Sequence, residues 1–195
     1  MSSPGLRERK KQKTRWAIQD HALRLFAERG YDATTVDQIA AAAEVSPSTF
    51  FRYFRTKEDV VVLDEYDDLI AEQLVSAPPE LSPVGALRHV TREVFAGLPD
   101  EAKRALADRS QLIMSVPALR ARSLENMVDT IQLISGLIAT RLGRPADDFQ
   151  SKIIAGAVVG AAVAAMETWL SDPVGHDFLA MIERAFAELE PLTGT

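Results

Sequence analysis

The 195-residue chain contains no cysteine. That absence excludes disulfides, thiolate nucleophiles and cysteine-bearing metal sites, and it suits a reducing compartment. Histidine is nearly as scarce. His21, His89 and His176 stand far apart, and no His-Glu-x-x-His pair, Gly-x-Ser-x-Gly elbow or glycine-rich phosphate loop occurs. The acids Asp64, Glu65, Asp67 and Asp68 cluster on one expected helix, where such runs are solvated faces. The sequence therefore assigns no catalytic residue, no metal ligand and no cofactor. The longest unbroken apolar run, Ile153 to Met166, is 14 residues, short of the about 20 of a membrane span. The N-terminus carries no hydrophobic signal core, so the expectation is a cytoplasmic protein with no membrane partner. No strand-like run and no internal repeat is present, which leaves an all-α fold.

What the chain does have is helix punctuation. Thr34 with Asp37 three residues on reads as a helix start, and Ser46 followed by Pro47 reads as another. Only Glu44, Val45 and Ser46 separate the alanine-rich helix end from Pro47, so the two helices cross steeply as a helix-turn-helix. Val36, Ile39, Ala40, Ala43, Val45, Phe50 and Phe54 supply a small shared core. Ser48, Thr49, Phe51, Arg52 and Tyr53 are left to face outward, a polar and aromatic surface suited to the major groove of double-stranded DNA.

The net charge of −6 divides unevenly: residues 1–60 carry +3 and residues 61–195 carry −9. Arg7, Arg9, Lys10, Lys11, Lys13 and Arg15 oppose only Glu8 in the basic arm 1–15, which can neutralise phosphates beside the helix-turn-helix.

From about Thr14 to Val62 the sequence resembles the tetracycline-repressor (TetR) family of bacterial transcription regulators, through Ala22, Phe26, Gly30-Tyr31, Thr34-Thr35, Ile39-Ala40, Val45-Ser46, Phe50-Phe51, Tyr53-Phe54 and Lys57. The resemblance implies a ligand-responsive regulator, most simply a repressor. By position it places Thr35 near the phosphates and Pro47, Ser48, Thr49 and Arg52, behind the cap Ser46, over base edges. Phe51, Tyr53 and Lys57 would grip the backbone. Glu44 stands where members of the family carry glycine, so a non-glycine residue is expected with positive φ, at a cost on the order of 1 kcal/mol.

The remaining sequence predicts more helices. The first runs from about Arg7 to Arg29, with Trp16, Ala22, Leu23, Phe26 and Ala27 inward and Gly30 as its stop. A long one starts at Thr56 and runs to the break at Ala77-Pro78-Pro79. Others are expected at about 83–97, 100–115, 117–142, 145–170 and 174–190, with Pro83, Pro99, Pro117, Pro145 and Pro173 at their starts. The expected architecture is thus a three-helix head, residues 1–55, and a helical ligand-binding and dimerisation domain, residues 56–195, with about nine helices in all.

Small residues at Gly156, Gly160, Ala161 and Ala164 and an apolar stripe at Phe178, Ile182 and Phe186 suit helix packing. The resemblance implies that the last two helices pair with their symmetry mates, so that a homodimer sets two recognition helices on a palindromic operator. Phe95, Met114, Met127, Ile131, Met166 and Trp169 are candidates for a cavity holding a hydrophobic small-molecule effector. His89, Arg92, Arg120 and Arg122 are polar candidates at its mouth. The family likeness extends loosely to regulators that respond to acyl-CoA-like compounds. A protein-binding helical adaptor and, more remotely, a small helical enzyme are the competing classes; neither needs the basic arm and the polar-aromatic helix.

Overall fold

The computed structural model describes residues 6–63 and 65–193, so residues 1–5 of the basic arm and Asp64 of the acidic cluster lie outside the described residues. Local start and stop signals divide the chain into α1 (Leu6–Arg29), α2 (Val36–Ala42), α3 (Pro47–Tyr53), α4 (Asp59–Val62), α5 (Glu65–Ser76), α6 (Pro83–Phe95), α7 (Asp100–Ser115), α8 (Pro117–Arg141), α9 (Phe149–Ser171) and α10 (Phe178–Thr193). No strand occurs among the described residues.

The extra helix arises because the expected long helix from Thr56 breaks: Leu63 is extended, at φ −78° and ψ 119°. Val60, Val61 and Val62 are all buried. Three consecutive buried side chains need neighbours on every side of so short a helix, and β-branched residues favour leaving helical backbone.

Other boundaries shift for equally local reasons. The cap of α2 is Thr35, whose hydroxyl accepts from the Gln38 amide while the Gln38 side chain accepts from the Thr35 amide. Thr34 and Asp37 do not form that pair, because the Thr34 hydroxyl turns inward and donates to the Gly30 carbonyl at 2.9 Å. α9 starts at Phe149 and not at Pro145, since the Asp148 carboxylate accepts from the Ser151 amide at 2.8 Å and its hydroxyl at 2.7 Å. Likewise Asp177 accepts from the Ala180 amide at 2.7 Å, so α10 begins after it and not near Pro173.

Two compact units result. The first comprises residues 1–63 together with Leu112–Ser123, and the second Asp64–Gln111 with Leu124–Thr195. Against the boundary expected at residue 55, the first unit runs on to Leu63 and recruits the end of α7 and the start of α8. Its core joins Ile18, Ala22, Leu25 and Phe26 of α1 to Ile39, Ala40, Phe50, Phe54 and Val60, and Leu119 of α8 is fully buried among them. Trp16, expected inward, is 46% exposed, and Ala27 is exposed too; Ile18 and Leu25 take their places.

The second unit packs α5, α6, α9 and α10 with parts of α7 and α8 around Leu87, Val90, Phe95, Ile138, Val158, Trp169, Phe178, Ile182 and Phe186. At 23 residues α9 is long and apolar enough to cross a membrane by length and composition, which the 14-residue run alone did not indicate. Ile154, Ala155, Val158, Ala165 and Trp169 are buried inside the chain, and 33% of the helix's most apolar window is buried.

Candidate nucleic-acid interface

The turn before α3 is held from both sides. Glu44 sits at φ 54°, the left-handed conformation expected at this position. There the Val45 amide donates back to the Ala40 carbonyl at 2.9 Å and the Glu44 amide to the Ala41 carbonyl at 3.2 Å, which satisfies carbonyls left over at the end of α2. Ser46 then caps α3, accepting from the Thr49 amide at 3.1 Å, while its hydroxyl also meets the Ser48 and Thr49 hydroxyls at 2.9 Å each. Pro47 occupies the first helical position, where a missing N–H removes no bond.

Phe50 is fully buried and anchors this short helix, with its ring 5.7 Å from Phe54. The opposite side is open. Pro47, Ser48, Phe51 and Arg52 are exposed, as are Ser46 and Thr35, while Thr49 and Tyr53 are half-buried. Phe51 stands edge-on against Phe50 at 5.4 Å and the Arg52 guanidinium lies 5.4 Å from the Tyr53 ring centre, so the large side chains of this surface are braced before any partner arrives. Hydroxyls, a methyl, an aromatic ring and a guanidinium on one such face can read base edges, and their positions are fixed by a buried ring beneath.

Lys57 has a different setting from the one expected. Its ammonium donates to the Tyr31 carbonyl at 2.9 Å and the Thr34 carbonyl at 3.1 Å and lies 3.9 Å from the Tyr31 ring centre, so it ties the α1–α2 turn. Arg15, counted with the basic arm, lies 5.8 Å from the Phe54 ring centre. Arg55 is exposed just after α3, and the family pattern gave no signal for it.

Two buried or half-buried acids shape the exit from α3. Burial pushes the Tyr31 phenol far above its ordinary value, reinforced by its hydrogen bond to Glu58 at 2.5 Å and by that carboxylate's charge. Burial raises Glu58 in turn, but the Tyr31 hydroxyl and its other hydrogen bonds outweigh it and hold the carboxyl below its usual range. Asp59 is 2% exposed. One of its oxygens accepts from the Arg55 and Thr56 amides at 3.0 and 3.2 Å, and the other meets Arg122 Nε at 2.6 Å. Arg122 was expected at the mouth of an effector cavity; the structure brings it to the head, because α8 enters the head through Leu119. Arg120 is exposed.

The regulatory candidates separate. Phe95 and Trp169 are buried in a chain of rings, Tyr66 to Phe95 at 5.0 Å, Phe95 to Phe178 at 5.2 Å and Phe178 to Trp169 at 4.9 Å. Ile131 and Met166 pack half-buried against the same core, and Met127 and His89 are half-buried as well. Met114 is not with them: it is 45% exposed and lies on the stretch of α7 that belongs to the head. Arg92 is exposed and paired with Glu183 of α10. Tyr66 joins the ring chain without having been singled out as a candidate.

The helix-packing candidates divide by helix. On α9, Gly160 and Ala164 are exposed and Gly156 and Ala161 half-buried, and a Cβ placed on Gly156 or Gly160 meets nothing within 4 Å. On α10, Phe178, Ile182 and Phe186 are buried at 7, 5 and 4% exposure. Those three fill the protomer's own core, so a facing helix would not touch their rings and side chains. The exposed apolar residues of α9 are instead Phe149, Ile153 and Val163.

Residues 18–62 match the family model for bacterial regulatory proteins of the tetR family, and residues 81–193 match the model for the MftR C-terminal domain. The chain is 36% identical over 154 residues to the transcriptional regulator TcmR of Streptomyces glaucescens, covering 75% of this chain and 68% of TcmR. It is 29% identical over 167 residues to the regulator MftR of Mycobacterium tuberculosis, covering 84% of this chain and 83% of MftR. The crystal structure of the Thermus thermophilus repressor FadR in complex with lauroyl-CoA superposes with a TM-score of 0.55 at 25% identity, over 93% of this chain and 95% of that one. FadR of Bacillus halodurans shares the fold, with a TM-score of 0.59 at 23% identity over 99% and 97% of the two chains.

Proposed function

Because the chain belongs to the TetR family of bacterial transcriptional regulators, with a regulatory half of the MftR C-terminal type, we propose that it is a cytoplasmic repressor that binds a palindromic operator as a homodimer. A hydrophobic small molecule, acyl-CoA-like in its chemistry, releases it. The observation that carries this reading is α3, capped at Ser46, anchored by buried Phe50 and exposing Ser48, Phe51 and Arg52 on one side.

In this reading residues 1–55 contact DNA, and effector and partner are held within residues 56–195. Thr35 and Arg55 lie where phosphates would pass, and Ser48, Thr49 and Arg52 meet bases. Lys57 acts here by fixing the turn that presents Thr35. The homodimer forms through the open α9 face at Gly156, Gly160, Val163 and Ala164. The ring chain from Tyr66 to Trp169 and the half-buried Ile131 and Met166 give the effector its apolar surroundings. Support for an acyl-CoA comes from the FadR neighbour that holds lauroyl-CoA.

Selection from a pool of random DNA duplexes tests the reading directly. A two-fold symmetric consensus is expected, with binding relieved by lauroyl-CoA or by shorter apolar compounds. Recovery of no enriched sequence would overturn the assignment to a sequence-specific regulator.

A further inference from the structure

Hydroxyls inside helices normally bond to the carbonyl one turn back when nothing better is near. On α8, Thr130 does so to the Asn126 carbonyl at 3.0 Å and Thr140 to the Gly136 carbonyl at 2.9 Å. Ser135, midway between them, does not. Its side chain is 2% exposed and its Oγ has no hydrogen-bond partner among the described residues. A buried hydroxyl without a partner is unfavourable, and a native structure rarely keeps one without a use for it.

The neighbours of Ser135 along α8 are apolar, and several of them are partly open to solvent. Ile131 and Ile138, one turn away on either side, belong to the core of the second unit, with Ile138 fully enclosed and Ile131 only half-buried. Ile134 and Leu137 are half-buried too, and a Cβ placed on Gly136 meets nothing within 4 Å. A segment that carries an unanswered hydroxyl beside half-buried apolar side chains has the two complements a mixed ligand needs, namely surface for a hydrocarbon body and one donor for an oxygen.

We propose that Ser135 is the polar anchor of the effector, which is an oxygen-bearing hydrophobic compound whose carbonyl accepts the Ser135 hydroxyl proton while its hydrocarbon lies along Ile131, Ile134 and Ile138. This rests on the effector reading above and narrows it, since a pure hydrocarbon leaves Ser135 unanswered. A ketone, an ester and an acyl thioester share the carbonyl that the site requires.

The test compares 2-decanone with its isostere 2-methyl-1-decene, in which C=CH₂ replaces C=O. Binding is read by Trp169 fluorescence in full-length protein carrying Trp16→Phe, with and without Ser135→Ala. The ketone is expected to bind about five- to tenfold more tightly than the alkene, as one neutral hydrogen bond implies. Ser135→Ala should abolish that preference and leave alkene binding unchanged. In the free protein the same substitution should raise the thermal midpoint by about 2–4 °C, because an unanswered hydroxyl has been removed.

A preference that persists in Ser135→Ala overturns the proposal. So does a lowered midpoint in the free variant, which would show the hydroxyl already bonded. Failure of both compounds to bind overturns it as well. Release of DNA by lauroyl-CoA is measured separately, so the effector reading can survive the loss of its anchor.

Discussion

In the head, the groups that shape the reading helix are met at short range: Thr35 by Gln38, Ser46 by Thr49, and Asp59 by two amides and Arg122. In the regulatory unit, a buried serine hydroxyl has no partner among the described residues and α9 exposes Phe149, Ile153 and Val163. The head is held together by local hydrogen bonding over a few buried rings. The regulatory unit relies on long helices, of which α9 leaves large apolar side chains exposed. A reader of DNA gains from side chains fixed before binding; a ligand-binding unit needs surface left over for what it binds.

The comparison is broken most severely by attacking the head from the regulatory side of the sequence. Arg122→Ala leaves Asp59 as an uncompensated charge at 3% side-chain exposure, and breaking a buried pair in this way costs about 3 kcal/mol. Arg88→Ala removes a pair whose partners are 35 and 36% exposed and should cost below about 1 kcal/mol. Thermal unfolding of both variants decides; equal losses would deny the head its special dependence on internal pairing.

Next in size is the open face of α9. Gly160 is exposed and a Cβ there meets no neighbour within 4 Å, so Gly160→Leu is expected to leave the monomer's fold intact. Against a partner helix the side chain is overpacked at about 1–3 kcal/mol per site, twice in a symmetric dimer. Sedimentation velocity should show the dimer dissociating while circular dichroism stays unchanged; an intact dimer moves the interface away from Gly160.

Arg52→Ala should cost roughly 1–3 kcal/mol on the selected operator and relax its base preference. Fluorescence anisotropy on operator and scrambled duplexes measures both, and a variant with undiminished discrimination removes Arg52 from base reading.

The smallest effect is a pH dependence carried by Glu58 in the head. Glu58 has a lowered folded-state pKa, so it contributes stability above the ordinary carboxylate range that is lost as pH falls through its folded value. Glu58→Gln should therefore melt lower than wild type at neutral pH, and the gap should close as pH falls below about 4.5, flattening the variant's acid decline. An identical acid profile for the variant would show that the Tyr31 hydrogen bond does not distinguish the two protonation states.

The head was legible because its signals are local. Ser46-Pro47, Gly30 and the exceptional Glu44 act within a few residues of where they stand, and the alternation of buried Phe50 with outward Phe51 and Arg52 follows from one turn of helix. Misreadings came where two adjacent residues could serve, as with Thr34 and Thr35, or where burial on all sides ended a helix at Leu63. The regulatory candidates were less legible because an apolar stripe announces burial and not what covers it. Phe178, Ile182 and Phe186 turned out to fill their own protomer, leaving Phe149, Ile153 and Val163 outside. Nothing local marks Leu119 and Arg122 as parts of the head: Arg122 meets Asp59 across 63 positions of sequence, beyond the reach of any periodicity.

That last contact bears on how such a protein can be recombined. A DNA-reading cassette cut at Leu63 and grafted onto another sensor would carry a hole where fully buried Leu119 belongs and a carboxylate without its guanidinium. A functional chimera has to transplant Leu112–Ser123 along with the N-terminal segment, or supply a leucine and an arginine at the corresponding bend of the recipient. Exchange of heads among relatives is thus restricted to sensors whose own α7–α8 corner already fits.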